Sequence, residues 1–179
     1  PASRISCAIF DRSFVSTPVT HPFLEHSGCL AFAHRGDHHA GPENTLIAFE
    51  SAVKQGFRYL ETDVHLTSDG VLLAFHDDRL DRVTDGKGPI AELSYDSIRS
   101  VRVAGSEPIP RLDELLTTFP DTRFNIDPKS DASVGPLIRL IRDREVQHRI
   151  CVGSFSDHRI RRVREAIPGI CTSTGPIET

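Results

Sequence analysis

The sequence predicts an α/β fold of the parallel (β/α) barrel type, and three observations carry that expectation. From residue 30 onward, short apolar runs alternate with amphipathic stretches, the rhythm of parallel strands joined by helices. Several of the runs end in ionisable residues, which is where a barrel gathers its site. The first run leads into His34-Arg35-Gly36 rather than the glycine-rich phosphate loop that opens a doubly wound sheet.

The elements follow in order. Leu30–Ala33 is a short apolar run and reads as the first strand. Residues 44–56 repeat Leu46, Phe49, Ala52 and Val53 at helical spacing, with Asn44 as the expected N-cap and Gly56 as the expected stop. Tyr59–Thr67 reads as a strand that turns at Ser68-Asp69-Gly70 into Val71–His76. Residues 78–110 hold Gly86, Gly88, Pro89, Pro108 and Pro110 with little periodicity, so they are expected to form an irregular insertion with one short helix. Helices are then expected at 112–119, 134–144 and 156–166, and strands at 123–129, 150–155 and 170–173.

Composition bounds the function. The 179 residues are 38% apolar and 26% charged with a formal net charge of −4, an ordinary balance for one globular domain. The chain lacks the basic excess that a nucleic-acid partner calls for, so none is expected. Arg159, Arg161, Arg162 and Arg164 have the spacing of a helix's solvated face. Cys7, Cys29, Cys151 and Cys171 are far apart, and a chain of this length needs no disulfides to fold; Cys151 is expected to be a small buried hydrophobe. No secretory leader is legible, and no apolar run approaches the ~20 residues of a membrane span, which makes the cytoplasm the default location.

Side chains two apart on a strand share a face. Glu61, Asp63 and His65 therefore line one side of 59–67, and Asn125, Asp127 and Lys129 line one side of 123–129, with Phe124 and Ile126 on the other. Carboxylates gathered inside a fold need a cation or a hydrogen-bond network beside them. An oxygen-rich set without cysteine suits a hard ion, Mg²⁺ or Ca²⁺. On spacing alone, the same carboxylates could equally be strand-end charges paired with Arg35 and Lys129. His34 and His76 each end a strand beside a charged residue, and two histidines in one pocket suit acid–base chemistry near neutral pH. His21, His26, His148 and His158 are expected at the surface, and His38 and His39 in a loop. Arg35 and Lys129 offer a phosphate a bidentate fork and a point charge.

The residues resemble the glycerophosphodiester phosphodiesterase family. The resemblance rests on His34-Arg35-Gly36, Pro42-Glu43-Asn44-Thr45, Ala48-Phe49, Glu61-x-Asp63-Val64-x-x-Thr67-x-Asp69-Gly70 and His76-Asp77-x-x-Leu80-x-Arg82-x-Thr84, in order and spacing. Gly86-x-Gly88, Ile109-Pro110-x-Leu112 and Ser154-Phe155 fit its looser later parts. The resemblance implies a (β/α)₈ barrel whose insertion near 78–110 admits the glycerol end of the substrate. It implies His34 and His76 as the catalytic pair, and Glu61, Asp63 and Asp127 as ligands of one divalent ion, Mg²⁺ or Ca²⁺. Arg35, Lys129 and Glu43 would meet the substrate. The implied reaction releases glycerol 3-phosphate and an alcohol from a small glycerophosphodiester. Asp127-Pro128-Lys129 stands where the family often has Glu-x-Lys, so its carboxylate is one methylene shorter.

A complete barrel of this type takes ~250 residues. About six strands are legible here, so the expectation is a barrel that lacks its closing units, with residues 1–29 as an extension and 30–179 as the barrel domain. An open barrel edge predicts self-association. Two alternative functions remain: a non-catalytic relic or phosphate-binding module, and a phosphodiesterase acting on lysophospholipids.

Overall fold

A computed structural model describes residues 6–8 and 21–176. Its main sheet has the order β1-β2-β3-β7-β8-β9, with β4 added to β3. The strands are β1 (Ser6–Ala8), β2 (Leu30–His34), β3 (Tyr59–Leu66), β4 (Leu72–Ala74), β7 (Arg123–Pro128), β8 (Ile150–Val152) and β9 (Cys171–Thr172). From β2 through β3, β7 and β8 to β9, each pair is parallel. The run at 71–76 is a different kind of strand. As β4 it returns antiparallel along the far end of β3, with Val64 opposite Ala74. Five strands are therefore parallel rather than six. β1 pairs antiparallel with β2 and covers that edge. Among the described residues β9 pairs with β8 alone.

Helices α1 (Leu46–Lys54), α3 (Leu112–Thr118), α4 (Asp131–Asp143) and α5 (Asp157–Ala166) cover one face of the sheet. Leu60, Val64, Phe124, Ile126, Ile150 and Val152 point into them and form one core with Phe49, Leu115, Leu137 and Val163. Thr45, not Asn44, caps α1: its Oγ1 accepts from the Ala48 N–H at 3.4 Å. Asn44 is left-handed, with φ 57°, and its side chain is committed elsewhere. α4 begins three residues earlier than its apolar pattern suggests because Ser130 and Ser133 form a reciprocal capping box.

The arginines of α5 are not simply solvated. Arg159 donates to Asp131 Oδ1 at 2.6 Å and to the Pro128 carbonyl at 3.0 Å, and Arg162 donates to the Asp131 carbonyl at 3.0 Å. They fasten α5 to the start of α4, which the period of the helix alone does not reveal.

The opposite face of the sheet is the inner one. Its floor is closed by Phe23, carried on a 3₁₀ turn at Pro22–Leu24 and only 1% exposed, which packs edge-on against Tyr59 and accepts its hydroxyl at 2.8 Å through the Phe23 carbonyl. The segment expected to be an extension thus seals the base of the barrel. Cys151 is buried there, opposite Cys171, and neither is in a disulfide; the hydrogen bond with Cys171, and then burial, push the Cys151 thiol up. Cys29 is disulfide-bonded.

Residues 78–110 hold α2 (Tyr95–Ile98), two 3₁₀ turns and the small hairpin β5 (Arg102–Val103) and β6 (Glu107–Pro108). They carry their own core of Leu80, Ile90, Ile98, Val103 and Ile109 against Leu73 and Phe75 of the β4 segment. The insertion is irregular in backbone but packed, because its apolar residues are spaced for neither helix nor strand.

One buried cation organises the end of α3. Pro120 has no N–H to give the Leu116 carbonyl, and Arg149 supplies the missing donor at 2.6 Å, with further bonds to the Phe119 and Thr122 carbonyls at 3.1 Å each. Arg149→Met keeps the stem and strands a buried carbonyl, so it is expected to cost about 2–3 kcal/mol. A urea unfolding midpoint equal to that of the wild type would refute this.

Candidate active site

The site lies where β2, β3 and β7 end, and strand register assembles it. His34 stands opposite Glu61, Glu61 opposite Asn125, Asn125 opposite Cys151, so one level of the inner face runs across four strands. Two residues further along, Asp63 stands opposite Asp127. The β3–β4 hairpin supplies the remaining histidine. β3 overshoots the sheet, turns at Asp69-Gly70 and returns, and the Phe75 N–H donates to the Asp63 carbonyl at 3.0 Å. His76 is thereby set beside the carboxylate level.

The His34-Arg35-Gly36 turn is tight for a definite reason. Arg35 and Gly36 are both left-handed, with φ 57° and 85°, and the Arg35 N–H donates to the Glu61 carbonyl at 3.0 Å. A Cβ on Gly36 would come within 2.8 Å of the Ala48 carbonyl carbon. The turn therefore presses against α1 and aims Arg35 inward, at a strain cost of about 1 kcal/mol for the non-glycine residue.

Asp63 is the most deeply buried acid of the site, 2% exposed. Lys129 Nζ reaches its Oδ1 at 2.7 Å, Arg35 Nε lies 3.1 Å from its Oδ2 as an ion pair without hydrogen-bond alignment, and Asn44 Nδ2 donates to Oδ2 at 3.4 Å. Asn44 in turn accepts from the buried Thr62 hydroxyl at 2.8 Å. Lys129 also binds Asp127 Oδ2 at 2.8 Å. Against the penalty of burial, its bonds to Asp127 and Asp63 push the ammonium up. Glu61 accepts the Arg35 backbone N–H at 3.2 Å, but among the described residues it has no lysine or arginine side chain bonded to it. Burial, and then the charge of Asp63, push its carboxyl up to about 8.

The histidines differ in their surroundings. His34 Nε2 is 3.7 Å from Glu61 Oε2, and burial, followed by the Arg35 guanidinium, holds its imidazole below the ordinary value. His76 Nδ1 is 2.6 Å from Asp77 Oδ1, and Arg82 binds that same carboxylate. The Arg82 hydrogen bond is the main reason the Asp77 carboxyl falls to about 2. Glu43 accepts from Arg35 at 3.3 Å and from Arg82 at 2.6 Å, and it lies within electrostatic reach of both His34 and His76.

All eight residues singled out in the sequence are therefore joined in one network: His34, Arg35, Glu43, Glu61, Asp63, His76, Asp127 and Lys129. The sequence reading missed several others. Asn44 is legible in the sequence as a cap candidate and as part of the Pro42-Glu43-Asn44-Thr45 motif, but not as a partner of Asp63. His65, 9% exposed, fixes the hairpin by bonding the His76 carbonyl at 3.0 Å, and its place on the Glu61–Asp63 face was the available signal. Arg82 is legible in the sequence only as part of a motif, and Asp77 also as the charged neighbour of His76. His38 bonds the His34 carbonyl at 2.9 Å, which nothing in the sequence signals.

The acids fit a hard cation in kind: Glu61, Asp63 and Asp127 offer oxygen donors from facing positions, and Asn125 Oδ1 beside them is buried with no partner. As they stand, among the described residues no three Asp, Glu, His or Cys side chains converge on one point, and the Lys129 ammonium sits between Asp63 and Asp127.

The glycerophosphoryl diester phosphodiesterase family model matches residues 34–170. The chain belongs to that family. It is 40% identical over 141 residues to the protein named probable glycerophosphodiester phosphodiesterase 2 of Mycobacterium tuberculosis, covering 78% of this chain and 53% of that one. Among solved structures, a glycerophosphodiester phosphodiesterase from Agrobacterium tumefaciens superimposes with a TM-score of 0.74 at 29% identity, over 79% of this chain and 64% of that one. A phosphodiesterase from Oleispira antarctica, solved with its product sn-glycerol 3-phosphate, gives 0.71 at 26% identity over 79% and 63% of the two chains. These neighbours are (β/α) barrels of the family, so the open parallel sheet is the family fold over the part this chain spans. The chain spans between about half and two thirds of the length of these relatives.

Two glycines separate close packing from backbone strain. Gly56 also has positive φ, 94°, but a Cβ there meets nothing within 4 Å. Gly56→Ala is expected to cost about 1 kcal/mol and Gly36→Ala at least about 3 kcal/mol. Equal thermal shifts in the two variants would mean that the turn does not depend on its approach to α1.

Proposed function

We propose that this chain carries the active site of a metal-dependent phosphodiesterase that hydrolyses glycerophosphodiesters to glycerol 3-phosphate and an alcohol. The observation that supports it most is the single network joining two histidines, three inner-face carboxylates and two cations at one end of the parallel sheet. A charged diester needs those three kinds of group together. Cations meet its oxygens, an acid–base pair moves its protons, and a cation site balances the acids.

In this reading, Arg35 and Lys129 hold the phosphodiester oxygens, the first by its planar fork and the second as a point charge. Glu43 orients Arg35. One histidine of the His34–His76 pair takes the proton from the attacking hydroxyl, which is the substrate's glycerol 2-hydroxyl or water. The other gives a proton to the departing alcohol oxygen. Burial favours a neutral His34, able to accept a proton, and Asp77 orients His76. Glu61, Asp63 and Asp127 would hold one divalent ion, Mg²⁺ or Ca²⁺, which supplies Lewis-acid charge to the phosphoryl oxygens when bound. Lys129 would then exchange part of its carboxylate pairing for the substrate phosphate. In this chain, no helix among the described residues is long and apolar enough to cross a membrane.

The test is release of glycerol 3-phosphate from glycerophosphocholine, with and without Mg²⁺ or Ca²⁺. Metal-dependent turnover is expected, with losses of at least about 100-fold in His34→Ala and in Glu61→Ala. A folded wild type that binds metal and substrate without turnover would instead identify a phosphate-binding module.

A further inference from the structure

Arg82 belongs to the motif that carries the family resemblance, yet the reaction above gives it no part. It ends the first 3₁₀ turn of the insertion, Leu80–Arg82. Its guanidinium grips Asp77 through two bonds, Nε to Oδ2 at 2.5 Å and Nη2 to Oδ1 at 3.0 Å. Nη2 also donates to Glu43 Oε1 at 2.6 Å. Asp77 Oδ1 lies 2.6 Å from His76 Nδ1, and Glu43 Oε1 receives Arg35 Nη1 at 3.3 Å.

Arg82 has a half-exposed side chain, and an ordinary ion pair so placed contributes little. Two features set this one apart. The fork is bidentate on one carboxylate and reaches a second, which fixes geometry as well as charge. The gripped carboxylate is also the hydrogen-bond partner of a catalytic-site imidazole. An aspartate free to rotate leaves its neighbouring imidazole to divide between tautomers. A pinned one selects the form with the proton on Nδ1, and Nε2 then keeps its lone pair for the substrate side. The insertion contributes this clamp with its first turn, so the packed 78–110 segment and the histidine are mechanically one unit.

We propose that Arg82 is a positioning residue of the site. Through Asp77 it holds His76 with Nδ1–H on the carboxylate and Nε2 toward the phosphodiester, and through Glu43 it ties that histidine to Arg35. The inference rests on the reading of His76 as one of the acid–base pair.

Nitrogen-15 NMR of the imidazoles tests it in the full chain, without metal or substrate, with the His76 signals assigned by their loss in His76→Gln. The neutral His76 ring of the wild type is expected to carry its proton on Nδ1. In Arg82→Gln the proton should move toward Nε2, with Arg82→Lys intermediate. Arg79→Gln, on the same turn but paired with Asp81, should match the wild type. With Mg²⁺ and glycerophosphocholine, Arg82→Gln should lower kcat about 10-fold while KM stays within about 2-fold, and added guanidinium should restore part of the loss. A His76 tautomer unchanged in Arg82→Gln but altered in Asp77→Asn overturns the proposal, as does a shifted tautomer with full kcat. A shifted tautomer in a chain with no turnover at all leaves the clamp standing and removes the hydrolytic reading instead.

Discussion

Asp63 is an ionisable acid set almost wholly out of water between two parallel strands. Moving a carboxylate there costs several kcal/mol unless the site answers it with charge and hydrogen bonds. Arg35, Lys129 and Asn44 are that answer, and each requires something of the backbone. Arg35 needs a left-handed turn, which in turn needs glycine at 36. Asn44 gives up the cap of α1 to Thr45 so that its amide can span Thr62 and Asp63. Lys129 must follow Pro128 at the end of β7, where its N–H still pairs with the Val64 carbonyl at 3.0 Å. The burial of one acid thus sets the ends of three elements.

Glu61 is the complementary case. It shares the inner face with Asp63 but lacks a cation of its own, and its high proton affinity records the mismatch. A buried acid left in that state costs stability. The Lys129 bridge between Asp63 and Asp127 has a related meaning. One ammonium there balances two acids that face each other across β3 and β7.

The hairpin and the insertion solve a separate problem. A parallel strand brings one end of each β/α unit to the site, and the second histidine is not at the end of such a strand. β4 brings it back antiparallel along β3, His65 secures the His76 backbone, and the insertion packs its own small core behind the turn. The electrostatic chain from His76 through Asp77, Arg82 and Glu43 to Arg35 then spans the mouth from one side to the other.

The sequence by itself determined the alternation of strands and helices and the faces of β3 and β7, and it singled out eight residues that the structure joins in one network. These are local properties: a period of two, a period near 3.6, and motifs of fixed spacing. The place of the 71–76 strand, off the parallel order and along the far end of β3, was decided only in three dimensions, although its antiparallel direction already follows from a turn at Ser68-Asp69-Gly70 too short for a parallel crossover. So were the cap of α1, where a tertiary carboxylate outbid a local N–H for Asn44, and the seal under the barrel made by Phe23. The same holds for the arginines of α5 and for Arg149, whose partners lie about thirty residues away in sequence. Long-range pairing of a charge leaves no period in the chain. It is legible only once folding has brought the partner alongside.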